Sequence, residues 1–400
     1  MKILVIVPAL GTVYGGPSKS VVELAQALGR HASVDLVTTN ANGSEVLDVP
    51  LNTWLPKTNY RVQYFPYRGL DDYKFSLSLI QWLFKNIKNY NLVQTNAIFS
   101  LPNLPAYWAC RLYQTPYVTV PRGMLEPWAL SYKAWKKRIY YTLLEKPALQ
   151  NASLIQMLAS TEAEQIKPLN LKTPITIAPN GIHRQDFEQL PNPELFYQQF
   201  PETRNKTLIL FLGRIDPKKG LDLLATAFGK IHDQFPQTHL IAAGPDNIGF
   251  LPTAKEYFAK AGCLQAVTFT GMLTGSLKYA ALAAANIYVA PSYSEGFSMS
   301  VLEGMASGLP SIITTGCNFP EAAKAEAAYV VDINADAIAN ALTHCLQSPQ
   351  QAKEMGIRAR QLIFEQYTWD SIAKKLIQVY TAIIKNQPIP TLYSHKILSN

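Results

Sequence analysis

Two stretches, beginning at Lys2 and Thr207, are built alike. "KILVIVPALGTVYGGPSKSVVELAQALG" is a β-branched run, a Gly-rich loop and then apolar residues at helical spacing (Val21, Leu24, Ala25, Leu28). "TLILFLGRIDPKKGLDLLATAFGKI" repeats the order, with Leu221, Leu224, Ala225 and Phe228 on one helical side. Strands that alternate with helices predict parallel α/β sheets, because a parallel strand must be reached by a crossover. Two such openings in 400 residues predict two Rossmann-like domains in series, since one core seldom grows that large. Further strands are predicted at "SVDLVTT", "LVQTN", "YVTVP" and "ITIAPNG", then at "HLIAAGP", "AVTFTG", "IYVAPS", "PSIITT" and "AYVVD". The Pro-rich "EQLPNPELFYQQFP" is the predicted linker.

Composition narrows the class. Cys110, Cys263, Cys317 and Cys345 lie far apart without C-x-x-C spacing, so they read as buried thiols rather than a metal or disulfide framework. The longest apolar run, "YAALAAANIYVA", is too short for a bilayer span, which takes about 20 residues. "MKILVIVPALG" reads better as a first buried strand than as a signal peptide. The expected protein is cytoplasmic. Its net charge of +8 is uneven: residues 1–190 hold 19 Lys+Arg against 12 Asp+Glu, whereas residues 191–400 hold 17 against 16.

Ligands of parallel α/β sheets sit beyond the carboxyl ends of the strands. The predicted strand "NIYVAPS" ends in "YSEGFS", and the helix "MSVLEGMAS" follows. Glu295 therefore falls in the loop and Glu303 in the first turns of the helix. Between them, the N–H groups of Gly296, Phe297 and Ser298 lie at a helix N-terminus, which favours anions. Carboxylates on either side accept hydroxyl hydrogens, so the arrangement suits a nucleotide-sugar. A capping box between Ser300 and Glu303 explains the second acid equally simply. "GRIDPKKG" places Arg214 and Lys219, after Gly213, at another strand end, where a fork and a point charge suit a diphosphate. Gly15 and Gly16 open the first helix and allow close approach of backbone to a ligand. They do not form a dinucleotide fingerprint: G-x-G-x-x-G is absent.

With "GG" after the first strand, "APNGI", "GRIDPKKG", "AGP", "FTGML" and "PSYSEGFSMSVLEGMASGLP", the chain resembles the retaining glycosyltransferases of family 4 (group 1). The last motif is the family's E-x7-E. The resemblance implies the GT-B architecture: two Rossmann-like parallel-sheet domains facing an interdomain cleft. It implies an N-terminal acceptor domain at 1–188, completed by a C-terminal helix about 370–387, a donor domain at 189–369 and a tail at 388–400. It further implies transfer of a sugar from a nucleotide-diphosphate-sugar to a glycan or lipid-linked acceptor, as in polysaccharide or cell-envelope glycan synthesis. Carried over, Arg214 and Lys219 hold the diphosphate, Glu295 contacts sugar hydroxyls beside Gly296–Ser298, Glu303 grips the ribose, and Gly16 backs the donor. No metal or other cofactor is implied.

One loop departs from the family. "VTVPRGMLEPWALS" carries Arg122-Gly123 where many members have a histidine, so Arg122 and Gly123 are candidate sugar or acceptor contacts and no catalytic histidine is carried over. His183 stands where Asp is frequent and reads as a surface or interdomain residue. In "WALSYKAWKKRIYYTLLEK", Tyr132, Trp135, Ile139 and Leu143 share a helical face beside Lys133, Lys136, Lys137 and Arg138. That pattern, across 128–146, fits an anionic membrane surface, with attachment at the cytoplasmic face, or equally a core-facing stripe with solvated lysines. No nucleic-acid motif is present. Another GT-B enzyme, an epimerase or phosphorylase, and a non-catalytic sugar-binding relative stay open as alternatives.

Overall fold

The computed structural model describes residues 1–68, 74–125, 139–390 and 392. They form two compact units, Met1–Gly181 with Trp369–Asn400, and Ile182–Thr368.

The first unit is built on an eight-stranded sheet. From one edge its order is Ile175–Ile177, Leu154–Met157, Tyr117–Val120, Leu92–Asn96, Lys2–Ala9, Ser33–Thr39, Arg61–Phe65 and Trp54–Pro56. All neighbours are parallel except the last pair. Ile3, Leu4, Val5 and Ile6 are buried in sequence, as expected of a strand covered on both faces. Strand order changes direction at Lys2–Ala9, which pairs with Ser33–Thr39 on one side and Leu92–Asn96 on the other. Among the sheet's strands, Leu154–Met157, Arg61–Phe65 and Trp54–Pro56 are additional to those predicted from sequence.

The C-terminal helix Trp369–Ile384 lies on the first helix, Gly16–Leu28. Trp369 Nε1 donates to Glu23 Oε2 at 2.8 Å, and Trp369, Ile372, Leu376 and Val379 are buried. Covering each such side chain contributes about 1.5–3 kcal/mol relative to exposure, which explains why a helix so far along the chain returns here.

The second unit is a six-stranded, all-parallel sheet. Its order is Val267–Gly271, Thr238–Ala243, Thr207–Leu212, Ile287–Ala290, Ser311–Thr314 and Tyr329–Val331. Its core gathers Phe211, Phe228 and Phe258 with Leu221, Leu224 and Ala225, the predicted inner face of the helix Leu221–His232. Order reverses between Thr207–Leu212 and Ile287–Ala290, the strands that precede the two predicted motifs.

Two expectations are corrected here. The first unit closes at Gly181 rather than near residue 188. Ile182 N–H donates to Tyr367 O at 2.9 Å, and the Phe187 ring meets Tyr279 edge-on at 5.4 Å, so these residues belong to the second unit. The Pro-rich stretch is an ordered part of that unit, not a linker: it forms the helix Glu194–Gln199 with Phe196 fully buried. The four cysteines are buried free thiols, as read from their spacing. Of the predicted tail, residues 391 and 393–400 lie outside the described residues. No helix among the described residues is long and apolar enough to cross a membrane.

Candidate functional site

In the second unit, the loops after Thr207–Leu212 and Ile287–Ala290 are neighbours because their strands are. Tyr293 N–H donates to Lys218 O at 2.9 Å, joining them. Gly220 makes the join close. Its φ is +70°, and a Cβ there would stand 2.0 Å from the carbonyl oxygen of Pro291. Asp216 caps the turn by accepting from Lys218 N–H at 2.9 Å. The closure delivers Lys219 Nζ to Glu295 Oε1 at 2.5 Å.

Glu295 is held from several directions. Ser292 Oγ donates to the same Oε1 at 2.7 Å, Glu295 N–H donates to Gly316 O at 2.8 Å, and Asn318 Nδ2 donates to Glu295 O at 2.5 Å. Burial alone would raise this carboxyl, but the charge and hydrogen bond of Lys219, with Ser292, outweigh it and hold Glu295 below the ordinary carboxylate range. Arg214 is less confined. Its guanidinium is 3.8 Å from Asp216 and 40% exposed, open to a ligand. At Gly213, just before it, an added Cβ would stand 3.1 Å from the Phe211 ring and 3.6 Å from the Lys219 stem.

The helix Met299–Ala306 starts after Ser298, with the predicted residues Met299, Leu302, Met305 and Ala306 buried. Ser298 is the cap, so Ser300 is already inside the helix and cannot pair with Glu303 as a capping box. Glu303 is turned inward, 6% exposed, and Lys278 Nζ contacts its Oε1 at 2.9 Å. The Phe297 ring is not available to a ligand: it packs with Phe319 at 5.0 Å and Tyr367 at 5.8 Å. Its backbone and those of Gly296 and Ser298 stay at the helix N-terminus. Sequence reasoning missed Ser292, Asn318 and Lys278. Ser292, three residues before Glu295, was legible as a loop hydroxyl beside an acid, whereas nothing in the spacing marks Lys278.

The first unit gathers a second set of residues where its strand order reverses. Gly15 adopts φ 67° and ψ −135°, a conformation almost confined to glycine, directly before the helix Gly16–Leu28. Arg122, at φ 57°, donates from Nε and Nη2 to Asn96 Oδ1 at 3.0 and 2.8 Å, and from Nη1 to Ser20 Oγ at 2.9 Å. Burial pushes its guanidinium down to about 10, against the opposing pull of Glu162 and Tyr380. Gly123 N–H donates to Glu162 Oε1 at 2.7 Å. Arg122 thus ties the first helix to the end of Leu92–Asn96. Among the described residues no cluster of three or more His, Cys, Asp or Glu could hold a metal ion.

The family descriptions agree with this arrangement. "Glycosyltransferase Family 4" matches residues 14–186 and "Glycosyl transferases group 1" matches 194–362. The chain belongs to glycosyltransferase family 4, group 1. Its relatives include an uncharacterised glycosyltransferase of Methanocaldococcus jannaschii, 29% identical over 44% of this family 4 chain and 45% of the relative. A phosphatidyl-myo-inositol mannosyltransferase of Mycobacterium tuberculosis is 27% identical over 51% of this chain and 53% of its own. The chain spans about half the length of the curated relatives it matches. Among solved structures, sucrose-phosphate synthase from Thermosynechococcus elongatus matches with TM-score 0.76 at 21% identity, covering 97% of this chain and all of that one. Anabaena HepE, solved with UDP-glucose, matches with TM-score 0.75 at 17% identity, covering 96% and 100%. These likenesses establish the GT-B fold of this family 4 member.

Proposed function

We propose that the protein is a retaining glycosyltransferase moving a sugar from a nucleotide-diphosphate-sugar to a glycan or lipid-linked acceptor, without a metal ion. The observation that carries this reading is the convergence of Lys219, Glu295 and the helix after Ser298 at the strand-order reversal of the second sheet. Arg214 and Lys219 take the diphosphate and stabilise the charge that develops as it leaves. Lys219 is balanced by Glu295 until a donor arrives; the diphosphate then competes for the ammonium while sugar hydroxyls donate to the carboxylate. Backbone N–H groups at Gly296–Ser298 add donors for phosphate. Glu303 accepts from ribose hydroxyls. In the first unit, Gly15 and Gly16 leave backbone open to a ligand at the start of the first helix, and Arg122 with Gly123 lies at the same reversal of strand order. The leaving phosphate assists deprotonation of the acceptor on the same sugar face, which retains configuration. That HepE was solved with UDP-glucose, and that the mycobacterial relative is named a mannosyltransferase, support a nucleotide-sugar donor.

The test is a thermal-shift screen of UDP-, GDP- and ADP-sugars, where a ligand at 100 times its Kd adds about 2.7 kcal/mol. Transfer in the presence of a chelator, with the product's anomeric configuration read by NMR, follows with the hit. A screen in which no nucleotide-sugar stabilises the protein, or an inverted product, overturns the reading.

A second part of the reading concerns a lipid surface. Lys133, Lys136, Lys137 and Arg138 lie outside the described residues. Beside them in the chain, Ile139 and Leu143 are exposed one turn apart, as are Trp108 and Leu112 on the helix Asn103–Tyr113. No Asp or Glu occurs from Lys74 to Leu125 or from Pro127 to Leu144. Exposed large apolar side chains in an acid-free, basic stretch fit anionic lipid, at about 1 kcal/mol per basic residue. Exchanging the four basic residues for Gln should weaken co-sedimentation with anionic vesicles at low salt, and unchanged co-sedimentation refutes it.

A further inference from the structure

Each acid of the E-x7-E motif meets a lysine from elsewhere in the second unit. For Glu295 the partner is Lys219, a residue of the motif set. For Glu303 it is Lys278, a residue that belongs to no motif and lies on the helix Gly275–Ala284 leading into Ile287–Ala290. The Lys278–Glu303 side chains are only 16% and 8% exposed, and the ammonium also stands 4.7 Å from the Tyr279 ring centroid.

A partly dehydrated ion pair is a poor device for stability. Apolar residues of similar volume usually serve as well or better, because desolvating two charges offsets their attraction. Position 303 shows the point, since Met299, Leu302, Met305 and Ala306 around it are buried and apolar. A core residue there would complete the helix face. The pair makes sense instead if the carboxylate is needed as an acceptor and the lysine is what makes it tolerable in that place.

We infer that Lys278 is a positioning residue of the nucleotide site: by binding Glu303 Oε1 it fixes the rotamer of that carboxylate and supplies its counter-charge, so that Glu303 accepts from the vicinal hydroxyls of the donor's ribose. This rests on the donor reading above. Its consequence is a residue that governs discrimination between ribose and deoxyribose without contacting the sugar being transferred. Lys278 acts through Glu303, so its removal should cost no more than removal of Glu303 itself.

The experiment compares binding by calorimetry of UDP, GDP and ADP, taking whichever the wild-type protein binds most tightly, with its 2′,3′-dideoxy counterpart. Two hydrogen bonds to a charged acceptor should give the ribonucleotide an advantage of at least about 100-fold. Lys278→Met should cut that ratio about tenfold while leaving dideoxy binding unchanged. Lys278→Arg should retain most of it, and Lys278→Met with Glu303→Gln should equal Glu303→Gln alone. Donor KM should rise with kcat nearly constant, a split that mere loosening of the fold does not produce. The same ratio read in Lys278→Gln decides the matter should the Met variant fail to fold. A wild-type ratio in folded Lys278 variants overturns the positioning role and leaves the donor reading standing. Absence of any nucleoside diphosphate binding by the wild-type protein overturns both.

Discussion

Glu145 and Glu295 are both inward-facing carboxylates, and their neighbours drive them in opposite directions. At Glu295 the charge of Lys219 outweighs burial. At Glu145, fully buried in the first unit, burial raises the carboxyl to about 7, with the hydrogen bond from Phe99 N–H at 2.7 Å pulling back. An acid whose pKa is raised on folding carries a proton in the native state that the unfolded chain has lost. The contribution of this group to stability is therefore full below about 4.5, falls as pH rises, and levels off above 7. Glu145→Gln keeps the acceptor for Phe99 N–H and removes the titration. Its unfolding free energy in urea titrations should match the wild type near pH 4.5 and exceed it at pH 8, by up to about 3 kcal/mol at 1.36 kcal/mol per unit. A wild-type pH profile in the variant would show that Glu145 is not the group responsible. The two acids of the motif differ again. On the proposed mechanism, Glu295→Gln should depress kcat strongly, because it removes the carboxylate assigned to the sugar that gains positive charge, with little change in nucleotide affinity. Glu303→Gln should raise donor KM and leave kcat nearly intact. Single-turnover rates and nucleotide calorimetry on both variants check the assignment, and the reverse pattern would exchange the roles.

At the scale of elements, the site depends on how closely two loops approach. Gly220 combines a left-handed φ with contact against the Pro291 carbonyl, so Gly220→Ala meets both a backbone penalty of about 1–2 kcal/mol and a clash that must move one loop. The variant should lose more than about 2 kcal/mol of stability and most of its turnover, because Lys219 and Glu295 ride on the displaced loops. Gly262 is the control. Its φ is +73° with nothing within 4 Å of the added Cβ, so Gly262→Ala should cost the backbone penalty alone and leave turnover unchanged. Thermal unfolding and initial rates of the pair read this directly. Equal losses in the two variants would remove the loop contact from the explanation. Gly304 works in the same way on a smaller scale: an added Cβ would fall 2.5 Å from the Tyr288 ring, so glycine sets how near the helix bearing Glu303 lies to its strand.

At the scale of the whole molecule, the chain crosses between units twice, at Gly181 and at Thr368. Residues 182–368 own a complete sheet and core, so that segment expressed alone should fold cooperatively and bind a nucleoside diphosphate. A chain ending at Thr368 should behave differently. It leaves the first helix without the cover of Trp369, Ile372, Leu376, Val379 and Tyr380, and the first unit should become the protease-sensitive part. Limited proteolysis with mass spectrometry distinguishes the units, and equal resistance of both would show that the C-terminal helix is dispensable.

Local periodicity was enough for the architecture, because a parallel strand buried on both faces and a one-sided helix each write their pattern into adjacent residues. The strands at Lys2–Ala9 and Thr207–Leu212, the inner faces at Leu24 and Leu224, and the placement of Glu295 and Glu303 at a strand end and helix start were all legible in this way. Arg61–Phe65 and Leu154–Met157 were not, being short runs whose polar residues hide a strand that burial reveals. The partners were illegible for another reason. Lys278 is 25 residues from Glu303, and Arg122 is 102 from Ser20 and 26 from Asn96. Contacts at such separations depend on which strands become neighbours, and strand order is a property of packing across the entire sheet. Residue chemistry along the chain therefore marked where charge would act, and the topology assigned each charge its companion.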